Sequence, residues 1–450
     1  MTSELSRQQS GNSVELAERL QRLRSVIENC EPRVVSGELL AVSGTIIRAR
    51  LPQARIGELC ELRDPGTGEN SIADVIGIDG DVAFLAPYGS STGLSRRTEI
   101  VGLQEQATVM VSDEMMGHVI DGMGKFISAR GKAASGVRRR LYAPPPKPMD
   151  RRPIDQQLVL GIRAIDGMIS CGKGQRIGIF GNASVGKSSL IAQIVRGSTA
   201  AVNVVALIGE RGREVQDFAS RVLTPDMRSR TIIVAATSDR PPVERIKAAY
   251  MATTIAEHYR DQGKDVLLVM DSVTRFARAQ REIGLASGEL PARRGFPPSV
   301  FSVLPQLFER AGTSRSGSIT GLYSVLVEGD FNSDPIAEET KSLLDGHIIL
   351  DQKLASAGHF PAINVLESRS RLMEAVTSPA HQAKASRLRL LMALYQDIEL
   401  LIRVGEYKRN SDVESDAAID AKPLIDTFLR QGLNEASTME QTLRVMNNAA

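Results

Sequence analysis

Gly181-Asn182-Ala183-Ser184-Val185-Gly186-Lys187-Ser188 decides the fold of this chain. The stretch fits G-x-x-x-x-G-K-[ST] and stands between two segments of opposite character. The apolar run Arg176-Ile177-Gly178-Ile179-Phe180 precedes it, and Ser189-Leu190-Ile191-Ala192-Gln193-Ile194-Val195 follows with helical spacing. Strand, glycine loop and helix in that order are the setting in which the pattern binds phosphate. Successive backbone N–H groups of such a loop form an anion-binding nest at a helix N-terminus, where the helix dipole adds to the attraction. Lys187 then reaches the β- and γ-phosphates, and the Ser188 hydroxyl offers an oxygen to Mg²⁺. The nucleotide-contacting set runs from Gly181 through Ser189. A nucleoside triphosphate is the expected ligand.

A parallel sheet carries such chemistry at the carboxyl ends of its strands, and two further strand ends bear acids. Leu267-Leu268-Val269-Met270-Asp271 is an apolar strand that ends in aspartate, the Walker B position, suited to hold Mg²⁺. The other strand runs out as Leu207-Ile208-Gly209-Glu210-Arg211-Gly212-Arg213-Glu214. A glutamate beside a γ-phosphate can orient and polarise the attacking water, which makes Glu210 the candidate catalytic carboxylate. Arg211 adds positive charge for the phosphoryl oxygens.

Composition narrows the function classes. The 450 residues carry 55 basic and 53 acidic side chains, a formal charge of +2, which argues against an electrostatic nucleic-acid binder. There is no tryptophan, and aromatics make up 4%, so stacking platforms for bases are few. Cys30, Cys60 and Cys171 are far apart and odd in number, which suits a reducing cytosol rather than a disulfide or zinc framework. No apolar run approaches the ~18 residues of a membrane span, and Met1-Thr2-Ser3-Glu4-Leu5-Ser6-Arg7 lacks a secretory core. A soluble protein that stays inside the cell is expected.

Texture changes along the chain. Residues 14–29 read as an amphipathic helix with Leu16, Leu20, Leu23 and Ile27 on one face, either docked on its own domain or used as an oligomerisation or adaptor contact. From 33 to 103, short β-branched runs at Val34-Val35, 44–49, 74–78 and 81–85 are separated by turn signals, the pattern of a small β-barrel. A basic, proline-rich passage from Arg138-Arg139-Arg140 to Pro153 reads as an extended connection. Between 155 and 365, apolar strands such as 202–208, 231–235 and 265–270 alternate with helical patterns, as in a parallel α/β sheet buried on both faces. Beyond 375 the pattern is helical, at 386–394 and again near 423–434. The expected segments are 1–32, 33–103, 104–374 and 375–450.

Further blocks carry a family resemblance. Gly209 to Glu214, Asp271-Ser272-Val273-Thr274-Arg275-Phe276-Ala277, Arg294 to Phe301, Val327-Glu328-Gly329-Asp330, Leu344 to Ile348 and Tyr395 to Leu401 resemble the type III secretion-system ATPases. Those enzymes are similar to flagellar export ATPases and to the catalytic subunit of rotary ATP synthases. The resemblance runs collinearly from about residue 33 to 435. It implies an N-terminal β-barrel, a central P-loop (RecA-like) nucleotide-binding domain with a parallel sheet, and a C-terminal helical domain. It also implies ATP and Mg²⁺ as ligands and a homohexameric ring with ATP bound between neighbours. Glu210 becomes its catalytic carboxylate, Arg211 a γ-phosphate contact and Asp271 its Walker B acid.

Two more roles follow from the resemblance. Phe360 matches the aromatic that stacks on adenine, and Arg371, in Ser370-Arg371-Leu372-Met373, matches the arginine supplied to a neighbour's site; Arg369 is the competing candidate. Related loops commonly have glycine where Ser184 stands, and Leu290 and Gln306 replace a proline and a basic residue. The implied activity is ATP hydrolysis driving chaperone release and substrate unfolding at an export gate. Implied partners are stator and stalk proteins and chaperone–effector complexes at the cytoplasmic base of the apparatus, with peripheral attachment to the inner membrane. A flagellar export ATPase shares every one of these residues. A Rho-type RNA helicase shares the P-loop but needs an aromatic, basic barrel, and residues 33–103 offer Phe84 and Tyr88 alone.

Overall fold

The computed structural model describes residues 36–449 apart from 67, 69, 128–135 and 330–332, together with Arg24. The predicted helix over 14–29, Arg24 excepted, the strand at Val34-Val35 and Asp330 lie outside the described residues. The chain divides into two compact units between Gln106 and Ala107.

The first unit is a closed barrel. Its strands are β1 (Ser36–Ser43), β2 (Ile46–Arg50), β3 (Glu58–Arg63), β4 (Asn70–Asp79), β5 (Val82–Pro87) and β6 (Glu99–Gln106). They pair antiparallel in the order β1-β2-β5-β4-β3-β6, and β6 closes on β1. Alternate residues point inward, so Ile47, Ala49, Cys60, Leu62, Val75, Ala83 and Leu85 fill the interior. Of the strands read from the sequence, 74–78 falls within β4, while 44–49 and 81–85 overlap β2 and β5 and begin one or two residues early. Glu58–Arg63 and Glu99–Gln106 escape that reading because acidic and basic residues occupy much of their outward face.

The second unit adds β7 (Thr108–Val111), β8 (Val119–Ile120), β9 (Val137–Arg140), β10 (Gln157–Leu158), β11 (Cys171–Gly172), β12 (Arg176–Gly181), β13 (Val202–Glu210), β14 (Thr231–Thr237), β15 (Asp265–Asp271), β16 (Gly312–Thr313), β17 (Ser318–Leu326), β18 (Gly346–Leu350) and β19 (Ile363–Ser370). The main sheet has nine strands in the order β19-β18-β12-β17-β15-β13-β14-β8, with β16 paired to β17. Every neighbour from β18 to β8 along this path is parallel, whereas β19 runs antiparallel to β18. Helices cover the sheet, and Val202–Ile208 is therefore buried along its whole length. The three helices Pro379–Arg403, Val413–Leu429 and Met439–Ala449 share this core, through Leu388, Leu391, Ile425, Phe428 and Met446.

The basic passage differs from its expected form. Arg138-Arg139-Arg140 is not part of an extended connection but lies in β9, paired with β7. Arg139 forms a 2.6 Å ion pair with Asp261 at the end of the helix Pro242–Asp261. Two of the three arginines still face solvent, since a strand at the surface alternates its sides.

Arg310 ties this unit together from inside. It is 1% exposed, and its guanidinium meets both oxygens of Glu257, at 2.9 and 2.6 Å. It also donates to the Leu141 carbonyl at 2.7 Å and to Thr254 Oγ1 at 3.0 Å. A buried charge is tolerable only with this degree of pairing. Arg310→Ala leaves Glu257 without its bidentate partner and should cost about 3–5 kcal/mol, while the double change Arg310→Met, Glu257→Met should restore most of the loss. Thermal and denaturant unfolding check this; a single variant as stable as the parent would contradict it.

Candidate functional site

The phosphate loop emerges from the centre of the sheet. β12 ends at Gly181, and the helix Lys187–Gly197 begins six residues later. Val185 is buried and anchors the loop, while the Gly181 carbonyl accepts the Val327 N–H at 3.2 Å. Gly186 caps the helix at φ 88°, a left-handed conformation natural to glycine. Ser184 is left-handed as well, at φ 66°. The position therefore does require the conformation that glycine favours, and serine adopts it at a cost of about 1–2 kcal/mol.

Both acids lie at the same edge of the sheet as the loop. Asp271 ends β15, two strands from β12, and is 2% exposed. Ser324 Oγ donates to its carboxylate at 2.6 Å. Capping of the next helix falls to Ser272, which accepts from the Arg275 N–H, so Asp271 is left for other work. Glu210 ends the adjacent strand β13, one residue beyond a bulge between Ile208 and Glu210. Gly209, at φ 67°, makes that bulge, and a Cβ there would stand 3.0 Å from Arg275 Cδ.

These groups form one electrostatic cluster. Burial pushes the Lys187 ammonium below its ordinary value, and the charges of Asp271 and Glu210 oppose the shift. Glu210 is pushed up to about 8, first by burial, then by the hydrogen bond its protonated carboxyl donates to Glu214 and by the charge of Asp271. Glu214 is lowered by the same hydrogen bond. Arg275 counters part of the rise in Glu210 with a 3.1 Å ion pair to its Oε2 and a hydrogen bond to the Gly209 carbonyl. Arg211, singled out from the sequence, is exposed just before the helix Gly212–Val222. The guanidinium at Glu210 belongs to Arg275 instead. Its signal was present, one helical turn after Asp271 within a quoted motif, but nothing local distinguished it from a helix-surface cation.

Phe360 stands beside the loop and is 46% exposed, not part of the core. A Cβ on Gly186 would lie 3.4 Å from its ring. It lines a cavity of about 530 Å³ with Ser189, Gln193, Arg430 and Leu433 among others. The helical pattern expected near 423–434 runs past the observed helix end. The helix stops at Leu429, and Gln193 from the loop helix donates to the carbonyls of Gly432 at 2.9 Å and Glu435 at 3.0 Å.

Arg371 lies at the opposite edge. Ile363 pairs with Leu350 at the end of β18, whereas Ser370 pairs with Gly346 at its start. Gly346 in turn lies beside Ile177 at the start of β12. Roughly 15 Å of strand thus separates Arg371 from the loop of its own chain. Arg369 and Arg371 are both exposed, and both line a cavity of about 720 Å³ there.

The raised Glu210 carries a pH signature. Its native state holds the proton to a higher pH than an unfolded glutamate near 4.5, so the nucleotide-free protein loses stability as pH rises from about 4.5 through about 8. Glu210→Gln should match the parent near pH 5 and melt at a higher temperature at pH 8. Melting curves that stay parallel across this range would refute the shift.

Comparison with known proteins agrees with this fold. Residues 161–370 match the ATP synthase alpha/beta family nucleotide-binding domain, 39–104 that family's beta-barrel domain, and 377–448 the T3SS EscN ATPase C-terminal domain. The chain is 49% identical to a type 3 secretion system ATPase of Sinorhizobium fredii, over 94% of each chain. It is 43% identical to a flagellum-specific ATP synthase of Treponema pallidum, over 95% of this chain and 96% of that protein. The solved structure of the assembled ATPase EscN from enteropathogenic E. coli, in complex with its central stalk EscO, superposes with a TM-score of 0.85. It is 46% identical and covers 92% of this chain and 99% of its own. The chain belongs to the type III secretion-system ATPases, a branch of the ATP synthase alpha/beta family.

Proposed function

We propose that this ATPase works as a homohexameric ring that energises type III protein export, each ATP bound between two subunits. The observation that carries this reading is strand direction. Lys187, Asp271 and Glu210 sit at the carboxyl edge of the sheet, and Arg371 sits at the amino edge. A site that uses both needs a second copy of the chain. The assembled EscN structure with its central stalk supports a stalk partner for this ring.

Within the site, residues 181–189 cradle the phosphates and Lys187 neutralises their charge. Phe360 and the apolar Leu433 suit the two faces of adenine. Ser188 and Asp271 fit Mg²⁺, which takes one or two protein oxygens beside those of the phosphates; the ion would neutralise charge on the phosphoryl oxygens. Glu210, poised near neutral pH and steadied by Arg275, orients the water and takes its proton as the water attacks the γ-phosphorus and ADP departs. Arg211 adds a solvent-facing cation. Arg371 of the neighbouring subunit would meet charge that develops in the transition state.

Export of chaperone-bound substrates, stator partners and a cytoplasmic position at the inner-membrane base belong to this proposal. Among the described residues, no helix is long and apolar enough to cross a membrane. Flagellar export is the second reading, favoured by the flagellum-specific relative. The helicase reading loses ground, because Arg48 lies over the Phe84 ring and the Tyr88 hydroxyl is bonded to Asp74 at 2.5 Å.

Lys187→Ala should lower turnover about 10³-fold by removing charge from the phosphate site; near-normal hydrolysis would sink the assignment. Arg371→Ala should slow turnover by ~10³ or more with nucleotide affinity retained. Mixing it with Glu210→Ala protein should return activity in mixed rings, since each chain supplies what the other lacks. Confirmed mixed rings without recovery would count against a shared site.

A further inference from the structure

β19 is irregular where it matters. His347 pairs with Arg369 and Ile349 with Asn364, so the residues between Asn364 and Arg369 oppose Ile348 alone. A bulge of this size leaves carbonyls without ladder partners and re-aims the strand beyond it. The strand beyond it is Arg369 and Ser370, followed by Arg371.

Two sets of contacts fix the bulge. Ser368 Oγ donates to the Asn364 carbonyl at 2.6 Å and accepts the Ile349 N–H at 2.9 Å, and the Glu367 N–H donates to Asn364 Oδ1 at 3.2 Å. The second set comes from outside the sheet. Arg389, on the helix Pro379–Arg403, donates to the Val365 carbonyl at 2.5 Å, to Ser368 O at 3.3 Å and to Met168 O at 2.8 Å. One planar guanidinium thus bridges both ends of the bulge and the end of the helix Arg163–Met168. Arg389 also lines the 720 Å³ cavity that Arg369 and Arg371 line.

We propose that Arg389 is a positioning residue for Arg371: by holding the bulge of β19 from the C-terminal helices, it sets where Arg371 projects toward the neighbouring site. The inference rests on the reading of Arg371 as the residue supplied in trans. Arg389 meets backbone carbonyls rather than nucleotide, so its effect passes through strand geometry. Displacement of a reacting group by about 1 Å can cost 10²-fold.

The test uses the full chain with Arg389→Ala, Arg389→Lys and Ser368→Ala, and Arg371→Ala as the reference. Ser368→Ala loosens the bulge while the helix contact stays in place. For each, kcat and KM for ATP are measured, with capture of ADP and aluminium fluoride as a transition-state probe. Arg389→Ala should lower kcat by about tenfold to a hundredfold and lose fluoride capture, with KM within about twofold. Arg389→Lys should recover part of kcat, since an ammonium can still donate to one or two of the carbonyls. Ser368→Ala should shift kcat in the same direction by a smaller factor, and decides the matter with Arg389→Lys should the alanine variant fail to fold. Parental kcat in the folded bulge variants overturns the proposal, as does loss of nucleotide affinity along with kcat and no return with lysine. Parental kcat in Arg371→Ala instead overturns the reading of the site itself. An impaired Arg371→Ala beside normal Arg389 and Ser368 variants overturns the positioning role alone.

Discussion

Strand direction is the constraint on which this molecule depends. Parallel neighbours share a polarity, so every carboxyl end from β18 to β8 falls on one edge. Loops at that edge can converge without any strand bending toward another. Gly181, Asp271 and Glu210 meet there because they end β12, β15 and β13, strands joined only through a common sheet. The antiparallel β19 breaks the rule at the end of this path, as the short β16 does beside β17. The amino end of β19 follows Phe360 beside the phosphate loop, and its carboxyl end delivers Arg371 to the far side.

Low solvent access gives the converging groups their chemistry. A carboxylate in water is a poor base at neutral pH, whereas burial and the neighbouring acids lift Glu210 into the working range. The same burial acts against Lys187, and the two acids hold its charge. Arg275 opposes part of that rise. Glu210 and Lys187 thus owe their character to burial and to the charged groups around them. Backbone strain belongs to the same edge of the sheet, since Ser184 holds a left-handed φ in the loop that follows β12.

Much of this was legible in the residues. The phosphate loop, Glu210 and Asp271 announce themselves because each ends an apolar strand, and strands buried on both faces are easy to read. Arg275 was not legible, since a helix-surface arginine looks the same whether it faces solvent or a carboxylate across 65 residues. The barrel strands β3 and β6 were hidden by charges on their exposed face. Segment 430–433 kept a helical spacing of leucines past the point where the helix ends. Arg389 and the β19 bulge could not be foreseen, because a bulge is defined by register against a partner strand.

Gln193 has a meaning in polymer terms. Its hydrogen bond to Gly432 closes a loop of 239 residues. Joining the ends of so long a flexible chain costs about 5 kcal/mol of entropy, against about 1 kcal/mol from one such bond. The contact exists only because the helices Pro379–Arg403 and Val413–Leu429 have already brought the ends together. The bond is therefore a consequence of the fold and not a cause of it: it latches the wall of the Phe360 cavity to a helix that the surrounding packing already holds close.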